Sequence, residues 1–388
     1  MKIIGYNSSH DTSLCQFDTD TWEIDWLYEE ERFRRVKLWH PEPPNTKLLC
    51  IEHKRIEKPD AFIGCSYDRR EYNWGFNNDV IEYDKLLQRS ILATLAEQQL
   101  SYDRIQEVKE QYKHSSVDLF QDKYLETVLD DNLYADVANQ LEMEEFHCEI
   151  EHHMYHAECG YWFSPWREKE EAIAITMDGG GCMKYMEEWP NYQECETIYL
   201  CQPDRKPFRQ WGRLSNFRWL DNLHGDYFNE EQIMSHAAPD ETVVIDGCPT
   251  VISSRPSMGM NFSSLSLFFG FDIRGRSAGK VMGAASYQPW LDHEEGYVDF
   301  TTYSVGNLLQ QKSFEYTCGL IEKAIEFNPD IPNIILSGGY ALNCTNNAKY
   351  LERFPNHQIF IDPVAHDGGT AVGGAIRLAR ALQQGEEL

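Results

Sequence analysis

Residues 172–181 read AIAITMDGGG, an unbroken apolar run that ends in an acid and three glycines, and residues 2–11 read KIIGYNSSHD in the same outline. Each has the length of a strand and runs straight into a turn of small or polar residues. Two such starts in one chain point to a duplicated architecture. After the first come TSLCQF (residues 12–17) and Glu23 to Tyr28 as further strands, then the proline-rich HPEPPN (residues 40–45), which no regular element continues through. After the second, helical spacing is expected over Met258 to Phe271 and Gly306 to Phe327. IPNIILSGG (residues 331–339) should form a strand leading into a helix from Tyr340 to Phe354, followed by the strand QIFID (residues 358–362) and a final helix from Thr370. Mixed three and four spacings from Ile81 to Met143 suggest a helical layer. Strands alternating with helices in this way predict mixed α/β layers.

Composition narrows the function classes. The 388 residues are 42% hydrophobic, enough for a large core, and 35 Lys and Arg stand against 63 Asp and Glu for a net charge of −28. That balance argues against the broad basic face of a non-specific nucleic-acid binder, so any polyanion must meet a local basic site. No run of eighteen apolar residues occurs, and MKIIGYNSSHD has no secretory pattern, which leads to the expectation of a cytoplasmic protein without a membrane partner. The eleven cysteines are scattered and never form CxxC, which fits buried free thiols.

Three features carry chemistry. In EIEHHMYHAECGYWFSP, His152 and His156 lie four apart and share one helix face, the spacing that chelates one ion; His153 and His156 are the i,i+3 alternative, and capped or surface histidines the bland one. Two imidazoles leave a divalent ion short of donors, so a carboxylate is required, and Asp367 in PVAHDGGTAVGGA sits at a strand-to-helix turn where it could serve as ligand or as a simple helix N-cap. Second, glycine turns after strands, at Asp178, Gly179 and Gly180, at Gly338 and Gly339, and at Gly368 and Gly369, suit a phosphate or nucleotide cleft, although neither GxxxxGK[ST] nor GxGxxG occurs. Third, cations cluster at Arg32, Arg34, Arg35 and Lys37, at Arg205 to Arg218 and at Arg274, Arg276 and Lys280; the stretch to Trp219 interleaves aromatics and is a candidate acceptor surface. His10, with Asp11 in the first turn, could serve as a general base near neutral pH.

Taken in order, GYNSSHDTS, EEERFRRVKLWHPEPP, EHHMYHAECGYWFSPW, MDGGG, SMGMNFSSLSLFFGF, GKVMGAASY, SGGYALNC and HDGGTAVGGA make the chain resemble the O-carbamoyltransferases of nodulation and antibiotic tailoring. Their transferase domain is related to the enzyme that threonylcarbamoylates tRNA adenosine. The resemblance implies an actin-like ATPase superfamily fold of two duplicated α/β halves, here residues 1–165 with a helical insertion and 166–388, with the site in the cleft between them. It implies a metal, iron first and zinc or manganese next, on His152, His156 and Asp367. A carbamoyl phosphate donor would be bound by Lys37 and Lys280, and nucleotide by the glycine turns and Asn343. His10, beside Asp11, would take the place of the base that deprotonates an acceptor hydroxyl. Full family members continue into a domain that adenylates carbamoyl phosphate with ATP, so either a separate adenylating protein supplies carbamoyl adenylate or carbamoyl phosphate is used directly.

The compact form resembles the viral type of the family, which would place it in a host cytoplasm with 5-hydroxymethylcytosine, in DNA or as nucleotide, as first acceptor. A natural-product or sugar hydroxyl is the alternative, and a homodimer is compatible with either. A kinase or ATPase of the same superfold, or a non-enzymatic nucleotide-binding subunit, would use the glycine turns without needing the histidines.

Overall fold

The computed structural model describes residues 1–9, 11–35, 47–65, 133–149, 151–186, 189–215, 240–253, 255, 257–268, 271, 277–287, 302–386 and 388. The first sheet contains β1 (Lys2–Asn7), β2 (Ser13–Asp18), β3 (Glu23–Glu29), β4 (Ala61–Gly64) and β5 (His147–Cys148), in the order β3-β2-β1-β4-β5. Strands β1, β2 and β3 pair antiparallel as a meander, whereas β4 and β5 add in parallel. The second sheet is built from β6 (Ala172–Met177), β7 (Met183–Met186), β8 (Trp189–Cys201), β9 (Phe208–Ser215), β10 (Glu241–Ile245), β11 (Cys248–Ser253), β12 (Asn333–Ser337) and β13 (Gln358–Ile361). Its path β9-β8-β6-β12-β13 repeats the first sheet strand for strand, with β8 and β9 antiparallel and β12 and β13 parallel. This is the duplicated mixed α/β architecture expected from the sequence. The second sheet departs from the first by the added β11 and β10 beyond β9 and by β7 on β8.

Among the described residues the helices are α1 (Glu30–Arg34), α2 (Leu49–Lys54), α3 (Leu133–Gln140), α4 (His152–Phe163), α5 (Met258–Phe268), α6 (Ala278–Ala285), α7 (Thr302–Phe327), α8 (Cys344–Arg353) and α9 (Gly368–Gln384). The helix expected from Tyr340 is broken: Gly339–Leu342 is a 3₁₀ turn, and α8 starts only after Asn343. The last helix begins at Gly368, two residues earlier than expected. Of the helical stretch expected over residues 81–143, only α3 falls within the described residues.

Strand alternation distributes the core. On β1, Ile3 faces Phe17, Trp162 and Ala375, while Ile4 and Tyr6 face Phe62 and Val137 on the other side. On β6, Ile173, Ile175 and Met177 pack with α5 and α7 residues such as Leu265 and Leu309, while Ala172 and Ala174 face the cluster that holds Ile3 and Phe17. One cluster therefore joins both sheets, and α4 and α9 fill the layer between them. That explains why central strands read as unbroken apolar runs: both of their faces are covered. It also explains α4, buried on every side from His152 to Trp162, as a helix enclosed all round must be. The two helices approach closely at Gly373, where a Cβ would lie 2.0 Å from the Tyr155 carbonyl oxygen, so only glycine permits this spacing. All eleven cysteines are free thiols, buried except Cys148 and Cys344. Among the described residues no helix is long and apolar enough to cross a membrane.

Candidate metal centre

Three crossings of the fold converge on one point. The first two turns of α4 carry His152 and His156, Asp178 directly follows β6, and Asp367 directly precedes α9. All four are buried, and one ligand atom from each lies within 4.8 Å of the others. His152 Nε2 is 3.1 Å from Asp178 Oδ2, 3.2 Å from His156 Nε2 and 3.6 Å from Asp367 Oδ1. His156 Nε2 is 3.7 Å from Asp367 Oδ1 and 4.0 Å from Asp178 Oδ2. Donors about 2.1 Å from a four-coordinate ion are about 3.4 Å apart, so these separations fit a single ion. Two imidazoles and two carboxylates without a thiolate suit iron, manganese or zinc better than magnesium.

The i,i+4 pairing prevails over the i,i+3 alternative because His153 turns away, with its Nδ1 2.8 Å from Thr197 Oγ1. Burial holds the His153 imidazole down to about 4, hence neutral. His152 behaves oppositely: burial works against its charge, but Asp367 and Asp178 more than offset it and raise its pKa. For Asp178, burial and the nearby Asp367 charge oppose ionisation, yet the hydrogen bond with His152 and the two imidazoles prevail and lower its pKa. Asp367 is not a conventional N-cap, because its side chain makes no cap hydrogen bond and its backbone is already helical.

Asp178 was expected only at a nucleotide-binding turn, and the structure places it in two positions at once. Its Oδ2 faces the histidines, and its Oδ1 accepts the Gly339 N–H at 3.1 Å, which binds the two glycine turns to each other. Gly338 makes that approach possible with φ +87° against the Met177 backbone, a conformation and a space that exclude a side chain. On the other side of the first turn, the Gly179 carbonyl accepts from Ser257 Oγ at 2.6 Å, while Gly180 lies against Gln193. Asn343 is buried and its carbonyl oxygen accepts from Gln310 Nε2 at 2.5 Å, so its amide serves an internal pair.

Of the remaining expected residues, His10 and Lys37 lie outside the described residues, as do Arg218, Arg274 and Arg276. Asp11 Oδ2 is 3.6 Å from His366 Nδ1, beside the Asp367 turn. Lys280 is exposed on α6 and its Nζ donates to the Phe271 carbonyl at 2.9 Å. Arg32 and Arg34 are paired with Glu29 and Glu30.

The Arg205 to Trp219 stretch reads differently once folded. Its described part includes β9, an inner strand of the second sheet, where Arg213 forms a buried two-pronged pair with Glu196 at 2.6 and 3.0 Å and Arg209 lies 3.6 Å from Glu194. Trp211 is buried beneath Lys323. Arg209 and Arg213, committed to buried carboxylates, are therefore not offered to a phosphate, while Arg205 and Lys206 stay exposed. Sequence reasoning missed these carboxylate partners, together with His366 and Glu29, because each depends on a neighbour distant in the chain.

Comparison with known proteins adds a further line. A family model described as the carbamoyltransferase N-terminus matches residues 82–293 and 320–376. Uncharacterized protein MJ1058 of Methanocaldococcus jannaschii is 24% identical over 247 residues, which cover 61% of this chain and 38% of the relative. Nodulation protein NolNO of Sinorhizobium fredii is 43% identical over 54 residues, covering 14% of this chain and 8% of that protein. The chain thus spans well under half the length of these relatives. Among solved structures, T. kodakarensis HypF shares 16% identity at a TM-score of 0.40, over 65% of this chain and 39% of that one. Component A of the (R)-2-hydroxyglutaryl-CoA dehydratase of Acidaminococcus fermentans shares 8% at 0.42, over 97% of both chains.

Proposed function

The chain belongs to the carbamoyltransferase family, whose N-terminal model matches more than half of it, and on that premise we propose that it moves a carbamoyl group from carbamoyl phosphate, directly or through carbamoyl adenylate, to an acceptor hydroxyl. The observation that carries the reading is the convergence of His152, His156, Asp178 and Asp367 between the two duplicated halves. A divalent ion bound there, iron first and zinc or manganese next, would polarise the carbamoyl carbonyl and the departing phosphate. The chain's own groups do the rest. His10, the sequence neighbour of Asp11, takes the proton of the acceptor hydroxyl; the resulting oxygen bonds to the carbamoyl carbon, and the bond from that carbon to the phosphate oxygen breaks. Lys37 holds the leaving phosphate, and N–H groups of the glycine turns offer further donors for an anion. Lys280 would join them only after releasing the Phe271 carbonyl.

Among acceptors, 5-hydroxymethylcytosine remains the first candidate, but as nucleotide in preference to DNA. A chain of net charge −28, with Arg209 and Arg213 committed to buried carboxylates, has little to offset repulsion by a polyphosphate backbone. Sugar or natural-product hydroxyls are the alternative. The test is mass spectrometry of hydroxymethylcytosine DNA, its nucleotide and a sugar panel after incubation with protein, Fe²⁺ and carbamoyl phosphate, with and without ATP. Gain of one carbamoyl group on any acceptor supports the reading, and the ATP arm decides whether an adenylating partner is needed. Wild-type transfer that persists in His10→Asn would remove His10 as the base.

A pH dependence follows from His152. Its raised pKa means that the metal-free fold is stabilised by the protonated ring below the ordinary imidazole range, and that this stabilisation fades as pH rises through the raised value. An ion requires the same nitrogen unprotonated. Metal affinity should therefore fall by roughly tenfold per pH unit on the acid side, with one proton released on binding. Co²⁺ titrations at about pH 6, 7 and 8 check it, and a flat profile would contradict it.

A further inference from the structure

His366 precedes Asp367, and both of its ring nitrogens are engaged. Its Nδ1 accepts the Gly368 N–H at 3.1 Å. A backbone amide can only donate, so that nitrogen is an acceptor and the ring hydrogen must sit on Nε2. Nε2 in turn lies 3.1 Å from Glu29 Oε1 at the end of β3, and Glu29 is braced by Arg32 Nε at 2.8 Å. The ring thus spans Asp367, closing a small loop from residue 366 to residue 368 around it. A further link comes from β2, where Ser13 Oγ donates to the Gly368 carbonyl at 3.0 Å. The segment that delivers one candidate ligand is therefore fastened to the meander of the first sheet, while the histidines it must meet belong to α4.

We propose that Glu29 and His366 form a clasp, a pair of positioning residues that fixes the Asp367 carboxylate against His152 and His156 by tying the start of α9 to the end of β3. The inference rests on the four-donor metal reading above. His366 does not serve as a base in this arrangement, because both of its nitrogens are occupied by partners. Groups that orient ligands from outside a metal site are typically worth about 10–100-fold in affinity.

The experiment measures Co²⁺ affinity and the visible absorption of the Co²⁺-loaded full chain, together with thermal melting of the metal-free protein. For His366→Ala and for Glu29→Ala we expect Co²⁺ binding about tenfold weaker or more, with an altered absorption band. The double variant should be no weaker than the worse single one, and His366→Gln, which keeps a donor toward Glu29, should recover part of the loss. Metal-free melting should change little, since both side chains are partly solvent-exposed. If wild type binds Co²⁺ and loses it in His152→Ala, yet both clasp variants bind as wild type does, the clasp is overturned and the metal reading stands. If wild type fails to bind Co²⁺, the metal reading falls and the clasp with it. Additive losses in the double variant would also overturn the pairing.

Discussion

His152→Ala is expected to strip the protein of its metal and of transfer together. Structural sites of four donors bind their ion with about 10–16 kcal/mol, so one donor accounts for roughly 3 kcal/mol, or more than about a hundredfold in affinity. His152 is also the most connected of the four, since its Nε2 approaches Asp178, His156 and Asp367 within 3.6 Å. Its loss leaves two buried carboxylates facing each other with one imidazole fewer, which lowers the stability of the metal-free fold near neutrality as well. Asp178→Asn is the companion variant, because it preserves shape and the acceptor for the Gly339 N–H while removing an anionic donor. Metal content after purification and dialysis reads the outcome. Unchanged content in His152→Ala would show that the ligands are assigned wrongly, and unchanged content in Asp178→Asn alone would reduce the set to the three residues named from the sequence.

That fourth residue shows where sequence reading stops. MDGGG declares a turn after a strand, and a turn of that kind is compatible with phosphate binding. What brings Asp178 to the histidines is the seating of α4 across β6, which no local pattern announces. The histidine pair was legible because four-residue spacing on a helix is a local fact, and the duplicated fold because β1 and β6, covered on both faces, have no polar side to hide them. Strands β8 and β9 were illegible for the converse reason. Glu194, Glu196, Arg209 and Arg213 make them read as polar, yet the two acids and Arg213 are buried and Arg209 half-buried, each charge against a partner across the ladder or nearby. Within the basic stretch at Arg205 to Trp219, Arg209 and Arg213 turn inward on the same account, and Asn343, taken for a ligand contact, closes an internal amide pair with Gln310.

The second large effect is expected far from the metal, at Glu158→Ala. Glu158 on α4 and Arg380 on α9 form an ion pair with side-chain exposures of 1% and 3%, and Arg380 also donates to the Arg205 carbonyl at 3.0 Å. These are the two helices that deliver His152, His156 and Asp367. The pair is asymmetric in its failure. Arginine cannot shed its proton, so Glu158→Ala leaves a buried guanidinium without its carboxylate, at a cost of about 3–5 kcal/mol. In Arg380→Ala the stranded group is an acid whose pKa burial already pushes up against the pull of Arg380 and Arg377, so it can take a proton and become neutral. Arg380→Ala should therefore cost less than Glu158→Ala, and its penalty should grow as pH rises and the lone carboxyl is forced to ionise. Urea unfolding of the metal-free variants measures the difference. Equal losses at neutral pH would mean that Glu158 stays charged without its partner. A loss below about 1 kcal/mol in Glu158→Ala would mean that the glycine-mediated contact at Gly373, and not the ion pair, holds α4 against α9.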